Sequence, residues 1–296
     1  MDKWQSEDKI VTKEILKKNN FTDKPTERAV CQLKIGKIDE IQFTIDKLMS
    51  KFPSDIIYES NEKTWILGDG CTELDRQIER AIPTMFIDET SLITVKIVSN
   101  NKNDKTENEN IVKFELTLVN FQSFKPIWQW TPEEKYEIAL NYKESGVKLF
   151  KLTRYIDAFY KFSKACKILI TLEPINDLNI VDDNKNLLKN IHNLRIHLYN
   201  NIAECHMHRE NYDYVIILCN KVLNCDVNNV KALYRRGVAY GNLQNFDNAV
   251  EDLKKVLQLE PNNFLVKAKF HFYKQQSQIE NKKYEEMVKR MFVYEK

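Results

Sequence analysis

Two patterns of hydrophobic and polar positions divide this chain of 296 residues. In the first part, apolar and polar residues alternate over short segments, which predicts β-strands with one buried face. These segments are residues 29–35, 64–67, 92–98 and 112–121. Among them, Thr72 to Ile82 has helical spacing, with Thr72 as the candidate N-cap three residues before Asp75. Thr131-Pro132 begins a second part in which the spacing is helical.

The helical part contains a repeat. Residues 230–263 resemble a tetratricopeptide (TPR) unit, in which two antiparallel helices pack closely where their crossing residues are small. The small, aromatic and helix-breaking positions of this unit are Gly237, Ala239, Tyr240, Ala249 and Pro261. Residues 196–229 repeat the pattern over the same length, and an earlier copy covers about residues 139–170. We therefore expect three helix pairs.

The spacing of the repeats predicts an insertion and a cap. Gly146 and Ala203 occupy the same position of the first two copies but lie 57 residues apart, about 23 more than one repeat. The polar insert around Pro174 is expected to lengthen the adjoining helices and to add a loop. The helical pattern after Pro261 continues to Lys296 and is expected to cap the last repeat.

These elements predict two domains of different class. Residues 1–125 are expected to form an α+β domain, an antiparallel sheet with one short helix, and residues 133–296 an all-α TPR superhelix. Residues 126–132 form the junction, where Trp128 and Trp130 are expected to pack. The polar run from Ser99 to Asn110 is expected to be a solvated loop.

Composition narrows the class of protein further. The charged N-terminus has no secretory apolar segment, and no apolar run approaches the ~20 residues of a membrane helix, so we expect a cytoplasmic protein, also nuclear in one alternative. The six cysteines are scattered, which favours reduced thiols. His206 and His208 lie on different helix faces, so no shared metal and no cofactor is expected.

Charge is divided unevenly between the two parts. From Thr131 onward there are 26 Lys and Arg against 21 Asp and Glu, or +5, whereas the preceding residues carry 19 against 22, or −3. A mildly basic repeat domain suits an acidic partner. The excess is too small and too dispersed for a nucleic-acid-binding protein.

Short strings in both parts carry a family resemblance. They are KESGVKLFK, NIAECH, KALYRRG and DLKKVLQLEPNN in the repeats, with VTKEILKK, DKPTERAVCQLKIG, LDRQIERAIPTM and VKFELTLVNF before them. With these strings the chain resembles immunophilins in which an FK506-binding domain precedes three TPR units. It looks most like the FK506-binding-protein-like branch, whose isomerase-type domain is degenerate.

The resemblance implies that the first domain is not an enzyme. Members of this family accelerate prolyl isomerisation by holding the twisted amide in an apolar, aromatic-lined pocket. The family's tryptophan on the pocket floor aligns with Ile78, and its pocket tyrosine aligns near Leu33. Its Phe-Asp pair falls between Ile57 and Glu59, and its tyrosine-bearing loop is replaced by the polar run. We expect that the loss of both the tryptophan floor and the tyrosine-bearing loop removes the catalytic site. An active prolyl isomerase is the alternative.

The resemblance also implies a peptide-binding site in the repeats. TPR domains of this group bind the carboxylates of the Met-Glu-Glu-Val-Asp tail of heat-shock protein 90. Four of the five positions are filled as expected, by Lys143, Asn201, Lys231 and Arg235. Three cations and one amide donor can satisfy paired carboxylates. Lys231 and Arg235 lie four residues apart, so they share one helix face. The fifth position, usually asparagine, is Val147, which removes one donor.

These expectations combine into one leading hypothesis. The chain is a non-catalytic co-chaperone adaptor that binds the tail of heat-shock protein 90, or of its 70-kDa counterpart, and presents or stabilises client proteins. A scaffold in a specialised complex, such as the germline small-RNA pathway, is the remaining alternative. No nucleic acid or membrane is expected as a partner.

Overall fold

The alternating segments form an antiparallel sheet in the computed structural model, which describes residues 2–18, 23–38, 50, 52–57, 62–97, 110–173 and 185–293. The strands are β1 (Lys3–Gln5), β2 (Val11–Lys17), β3 (Val30–Ile38), β4 (Glu62–Ile66), β5 (Glu89–Ile97) and β6 (Asn110–Gln122). Their order across the sheet is β1-β2-β5-β6-β3-β4, and every neighbouring pair is antiparallel. The predicted α+β class is therefore confirmed for this unit, which covers Met1–Thr131.

One face of the sheet holds the core. Along β5 and β6 every second side chain is buried, from Glu89 opposite Leu118 to Ile97 opposite Asn110. Large apolar side chains such as Phe114 share this core with the buried residues of helix α1 (Glu73–Ala81), which contacts β2 and β5. The four strands predicted from alternation correspond to β3, β4, β5 and β6. Of the predicted polar loop, only Asn110 lies within the described residues, where it begins β6.

Helix α1 begins where its N-cap was predicted. The Thr72 hydroxyl accepts a hydrogen bond from the Asp75 backbone N–H at 3.0 Å, which satisfies one of the free donors of the first turn. The buried Asp75 carboxylate in turn accepts from the Ser54 hydroxyl at 2.6 Å and from the Ile56 N–H at 3.2 Å. The helix start thus holds the segment of residues 52–57 in place.

The second unit, Pro132–Lys296, is built from antiparallel helix pairs. Its helices among the described residues are α2 (Pro132–Lys151), α3 (Tyr155–Ile170), α4 (Lys185–Met207), α5 (Tyr212–Cys225), α6 (Val230–Asn242), α7 (Phe246–Leu259) and α8 (Phe264–Val293). Each helix packs on the next one along the chain. The three predicted helix pairs correspond to α2–α3, α4–α5 and α6–α7, and α8 packs on α7.

Close packing explains the small residue of the first repeat. A Cβ atom added at Gly146 on α2 would lie 2.6 Å from the ring of Phe162 on α3, which is itself buried. Real carbon atoms do not approach so closely, so the two helices cross at this distance only with glycine here. The insert lengthens α4, which begins at Lys185 rather than near Ile196; residues 174–184 lie outside the described part.

Of the two junction tryptophans, Trp130 packs as predicted and Trp128 does not. Trp130 is buried, its indole N–H donates to the Lys125 carbonyl at 2.6 Å, and its ring meets Phe124 edge-on at 5.5 Å between centroids. Trp128 is 78% exposed, so the prediction that it packs is wrong. Both follow Pro126, where a short 3₁₀ turn (Ile127–Gln129) directs the two side chains differently. None of the described helices combines the length and apolarity required to cross a membrane.

Candidate carboxylate-binding site

The four predicted site residues lie on the first helices of three successive repeats. Lys143 lies on α2, Asn201 on α4, and Lys231 and Arg235 on α6. Helix α4 contacts both α2 and α6, so it connects the two cationic helices. Lys231 and Arg235 are one helical turn apart and share one side of α6.

Three of these side chains keep their donors available. Lys143 and Asn201 are half-buried, and Lys231 is exposed. Within the described part of the chain, none of the three forms a hydrogen bond or an ion pair. Val147 is also half-buried and lies one turn after Lys143 on α2, where its side chain offers no donor.

Arg235 differs from the other three because it is already paired. Its Nε–H donates to Oε2 of Glu204 on α4, and its Nη1–H donates to Oδ1 of Asn200 at 3.0 Å. The side chains of Arg235 and Glu204 are 15% and 33% exposed, so water screens the ion pair only in part. Neither Asn200 nor Glu204 is among the site residues predicted from the sequence. Their spacing of four residues around Asn201 was the available indication that they share a helix face.

Asn200 also fixes the start of α6. Its Nδ2 lies 3.4 Å from Oδ1 of Asn229, whose side chain caps α6 by accepting from the Ala232 N–H at 3.1 Å. Asn229 is held in turn by Asp226, at 3.0 Å. Because the N-cap precedes Lys231 by two residues, these bonds set where the lysine leaves the helix.

Arg236 follows Arg235 on α6, but its side chain binds residues of α5 and α7. Its Nε and Nη2 donate to the two carboxylate oxygens of Asp252 on α7, both at 2.7 Å, and its Nη1 donates to Asn220 of α5 at 2.6 Å. The hydrogen bonds to Asp252 raise the pKa of Arg236. Two adjacent arginines therefore have different surroundings, since Arg235 binds α4 and Arg236 ties α6 to α5 and α7.

His206 and His208 lie in separate aromatic clusters. His206 is buried between Tyr214 and Phe159, and burial followed by the charge of Arg209 lowers its pKa. His208 instead stacks on Tyr155, with 3.8 Å between ring centroids. Among the described residues, no group of three or more His, Cys, Asp or Glu side chains is arranged to hold a metal ion.

In the first unit, Ile78, the residue predicted at the family's pocket floor, lies in the hydrophobic core. The Ile78 side chain is fully buried on α1, and Leu33 on β3 is 1% exposed. Ile57 is also buried, while residues 58 and 59 lie outside the described part. Trp65 lies on β4, as expected, and its indole N–H donates to Glu79 of α1 at 2.8 Å.

Family models match both parts of the chain. The model described as BDBT FKBP like N-terminal matches residues 4–123. The model described as Bride of doubletime-like, TPR domain matches residues 131–217, and a tetratricopeptide-repeat model matches residues 230–263. A crystal structure of residues 1–211 of CG17282 has the same fold, with a TM-score of 0.57 and 24% identity over 72% of this chain and 96% of that one.

Two relatives extend the likeness across both units. The human peptidyl-prolyl cis-trans isomerase FKBP4 is 31% identical over 226 residues, which is 74% of this chain and 47% of that protein. FK506-binding protein 59 of Drosophila melanogaster is 29% identical over 213 residues, 70% of this chain and 46% of that protein. The chain thus spans about half the length of these relatives. It consists of an FKBP-like N-terminal domain followed by a TPR domain and is homologous to the FKBP4 and FK506-binding protein 59 immunophilins.

Proposed function

We propose that the TPR domain is an adaptor that binds the acidic C-terminal tail of heat-shock protein 90. The observation that carries this proposal is the presence of unpaired donors on the first helices of contacting repeats. Lys143, Asn201 and Lys231 have no partner among the described residues, and Arg235 lies one turn from Lys231. A peptide ending in aspartate brings two carboxylates close together, which such donors bind with charge-assisted hydrogen bonds.

Charge and homology support the same role. The residues from Thr131 onward carry a net charge of +5, which favours encounter with an acidic peptide. Homology to the human and fruit-fly immunophilins supports a co-chaperone role for the whole chain. In this role the first domain contacts the client or the chaperone while the repeats hold the tail.

Replacing Lys231 and Arg235 together by alanine should weaken binding of a fluorescent Met-Glu-Glu-Val-Asp peptide by at least about tenfold, because two charged donors are lost. Fluorescence anisotropy of the full chain measures this affinity. Binding to the unaltered protein should also weaken as salt is added. The matched control is Lys254→Ala/Lys255→Ala, which removes two exposed lysines from the second helix of the same repeat. Equal affinity of the two double variants for the peptide would refute the proposed site.

We further propose that the FKBP-like domain has no prolyl isomerase activity. Ile78 stands where the family has its tryptophan floor, and this side chain is enclosed in the core with Leu33. A branched aliphatic side chain packed on all sides offers no flat aromatic surface to a twisted prolyl amide.

In a proline-peptide turnover assay, the full chain should therefore leave the isomerisation rate at its uncatalysed value. The assay follows cis-to-trans conversion by coupled proteolysis, with an active immunophilin as the positive control. A rate that rises in proportion to the concentration of this chain would contradict the proposal and favour the enzyme.

A further inference from the structure

The carboxylate of Glu204 already occupies Arg235 in the absence of any peptide. Glu204 lies three residues after Asn201 on α4, and its Oε2 accepts from the Nε–H of Arg235 across the gap between α4 and α6. Its other oxygen, Oε1, lies 3.8 Å from Nε2 of His208. This distance is too long for a hydrogen bond, so His208 does not fix the position of the Glu204 carboxylate. Of the proposed peptide-binding cations, Lys143 and Lys231 have no such partner among the described residues.

An internal carboxylate alters the energetics of the site. An incoming carboxylate reaches the Nε edge of Arg235 only after Glu204 leaves, so the gain from the new ion pair is reduced by the loss of the old one. A displaced Glu204 also leaves its negative charge without an ion-pair partner beside the ligand. The Nη2 group of Arg235 has no hydrogen-bond partner among the described residues and remains open to the ligand.

We propose that Glu204 is an internal competitor for Arg235 and determines how tightly this site binds peptides with an acidic C-terminus. This inference deepens the proposed function and rests on it. Peptide binding exchanges the Glu204 carboxylate for a peptide carboxylate at Arg235, while Asn200 retains its hydrogen bond to Nη1. No covalent bond forms or breaks in this exchange.

Glu204→Gln should raise the affinity of the full chain for the Met-Glu-Glu-Val-Asp peptide by about threefold to fivefold. Glutamine keeps the shape and an acceptor oxygen, so Arg235 stays hydrogen-bonded and the fold is maintained. The matched control is Glu251→Gln, which removes one negative charge from an exposed ion pair with Lys255 on α7. This control corrects for net charge, and we expect its affinity to equal that of the unaltered protein.

A second measurement follows Arg235 directly. In arginine-labelled protein, the Nε–H resonance of Arg235, assigned as the signal absent from an Arg235→Lys variant, should shift on peptide addition because its acceptor changes. The Nε–H resonance of Arg236 serves as the internal reference, since its partner Asp252 is buried and stays in place.

The outcomes separate this inference from the proposed function. If the unaltered protein binds the peptide and Glu204→Gln leaves the affinity unchanged or lowers it, competition by Glu204 is refuted while the proposed function stands. An Arg235 signal that does not move at saturating peptide also refutes it. If neither the unaltered protein nor Glu204→Gln binds the peptide, the proposed function fails and this inference fails with it.

Discussion

Glu89→Ala should lower the free energy of unfolding of the N-terminal unit by about 3 to 5 kcal/mol. Glu89 is completely buried at the start of β5, where its Oε1 accepts from Nζ of Lys13 at 2.7 Å. The same oxygen accepts from the Ser91 hydroxyl at 2.7 Å, and Oε2 accepts from the Phe86 N–H at 3.0 Å. Without this carboxylate, the ammonium group of Lys13 would remain buried with its charge uncompensated.

The pair of Lys13 and Glu89 can be tested as a unit. Lys13 is 3% exposed and also donates to the Thr84 carbonyl at 2.8 Å; burial lowers its pKa. Lys13→Met/Glu89→Leu removes both charges, so we expect it to destabilise the unit less than the two single changes added together.

Tryptophan fluorescence during urea unfolding isolates this unit, because all four tryptophans of the chain lie within Met1–Thr131. Asp2→Ala is the control, since its ion pair with Lys18 is exposed and contributes little. A Glu89→Ala protein that unfolds at the same urea concentration as the control would contradict the prediction.

The same ion pair shows why strand prediction succeeded in one place and failed in another. In β5 and β6 the buried positions from Ile93 to Leu118 are largely apolar, so the alternation was visible. In β2 the buried position that follows Val11 is Lys13, which a pattern of apolar residues does not recognise as inward-facing. Its partner Glu89 is distant in the sequence. β1 has only three residues and carries no alternation. Neither strand was predicted.

The helix pairs were predictable because close helix packing requires small residues at the crossing positions, and these residues recur in the sequence. Gly146 and Ala203 mark the crossing points, and the spacing between them revealed the insertion. The site was predictable only in part. Lys231 and Arg235 share a helix face by their spacing alone, but the partner of Arg235 lies on another helix, 31 residues earlier. Side-chain pairing between repeats depends on packing geometry, which spacing within one helix does not contain.

Replacing either of two adjacent arginines of α6 by alanine should affect stability and peptide binding to different extents. Arg236→Ala should lower the free energy of unfolding of the TPR unit by about 3 kcal/mol, because it strands the carboxylate of Asp252. That carboxylate is 3% exposed and receives both of its strong hydrogen bonds from the Arg236 fork. The loss also removes the hydrogen bond that the Arg236 side chain donates to Asn220 of α5.

Arg235→Ala is the matched control, since it removes the same side chain one residue earlier. Its ion-pair partner Glu204 is 33% exposed and regains water when the arginine is absent. The side-chain oxygen of buried Asn200 loses one hydrogen bond, so we expect a loss of stability of about 1 kcal/mol, smaller than that of Arg236→Ala. Circular dichroism at 222 nm during urea unfolding reports on this unit, which holds most of the described helical residues. Peptide binding should show the reverse order, with Arg235→Ala the weaker binder at concentrations where both variants are folded. If the two variants lose equal stability, the fork between Arg236 and Asp252 does not hold the repeat together, and the division of roles between the two arginines is wrong.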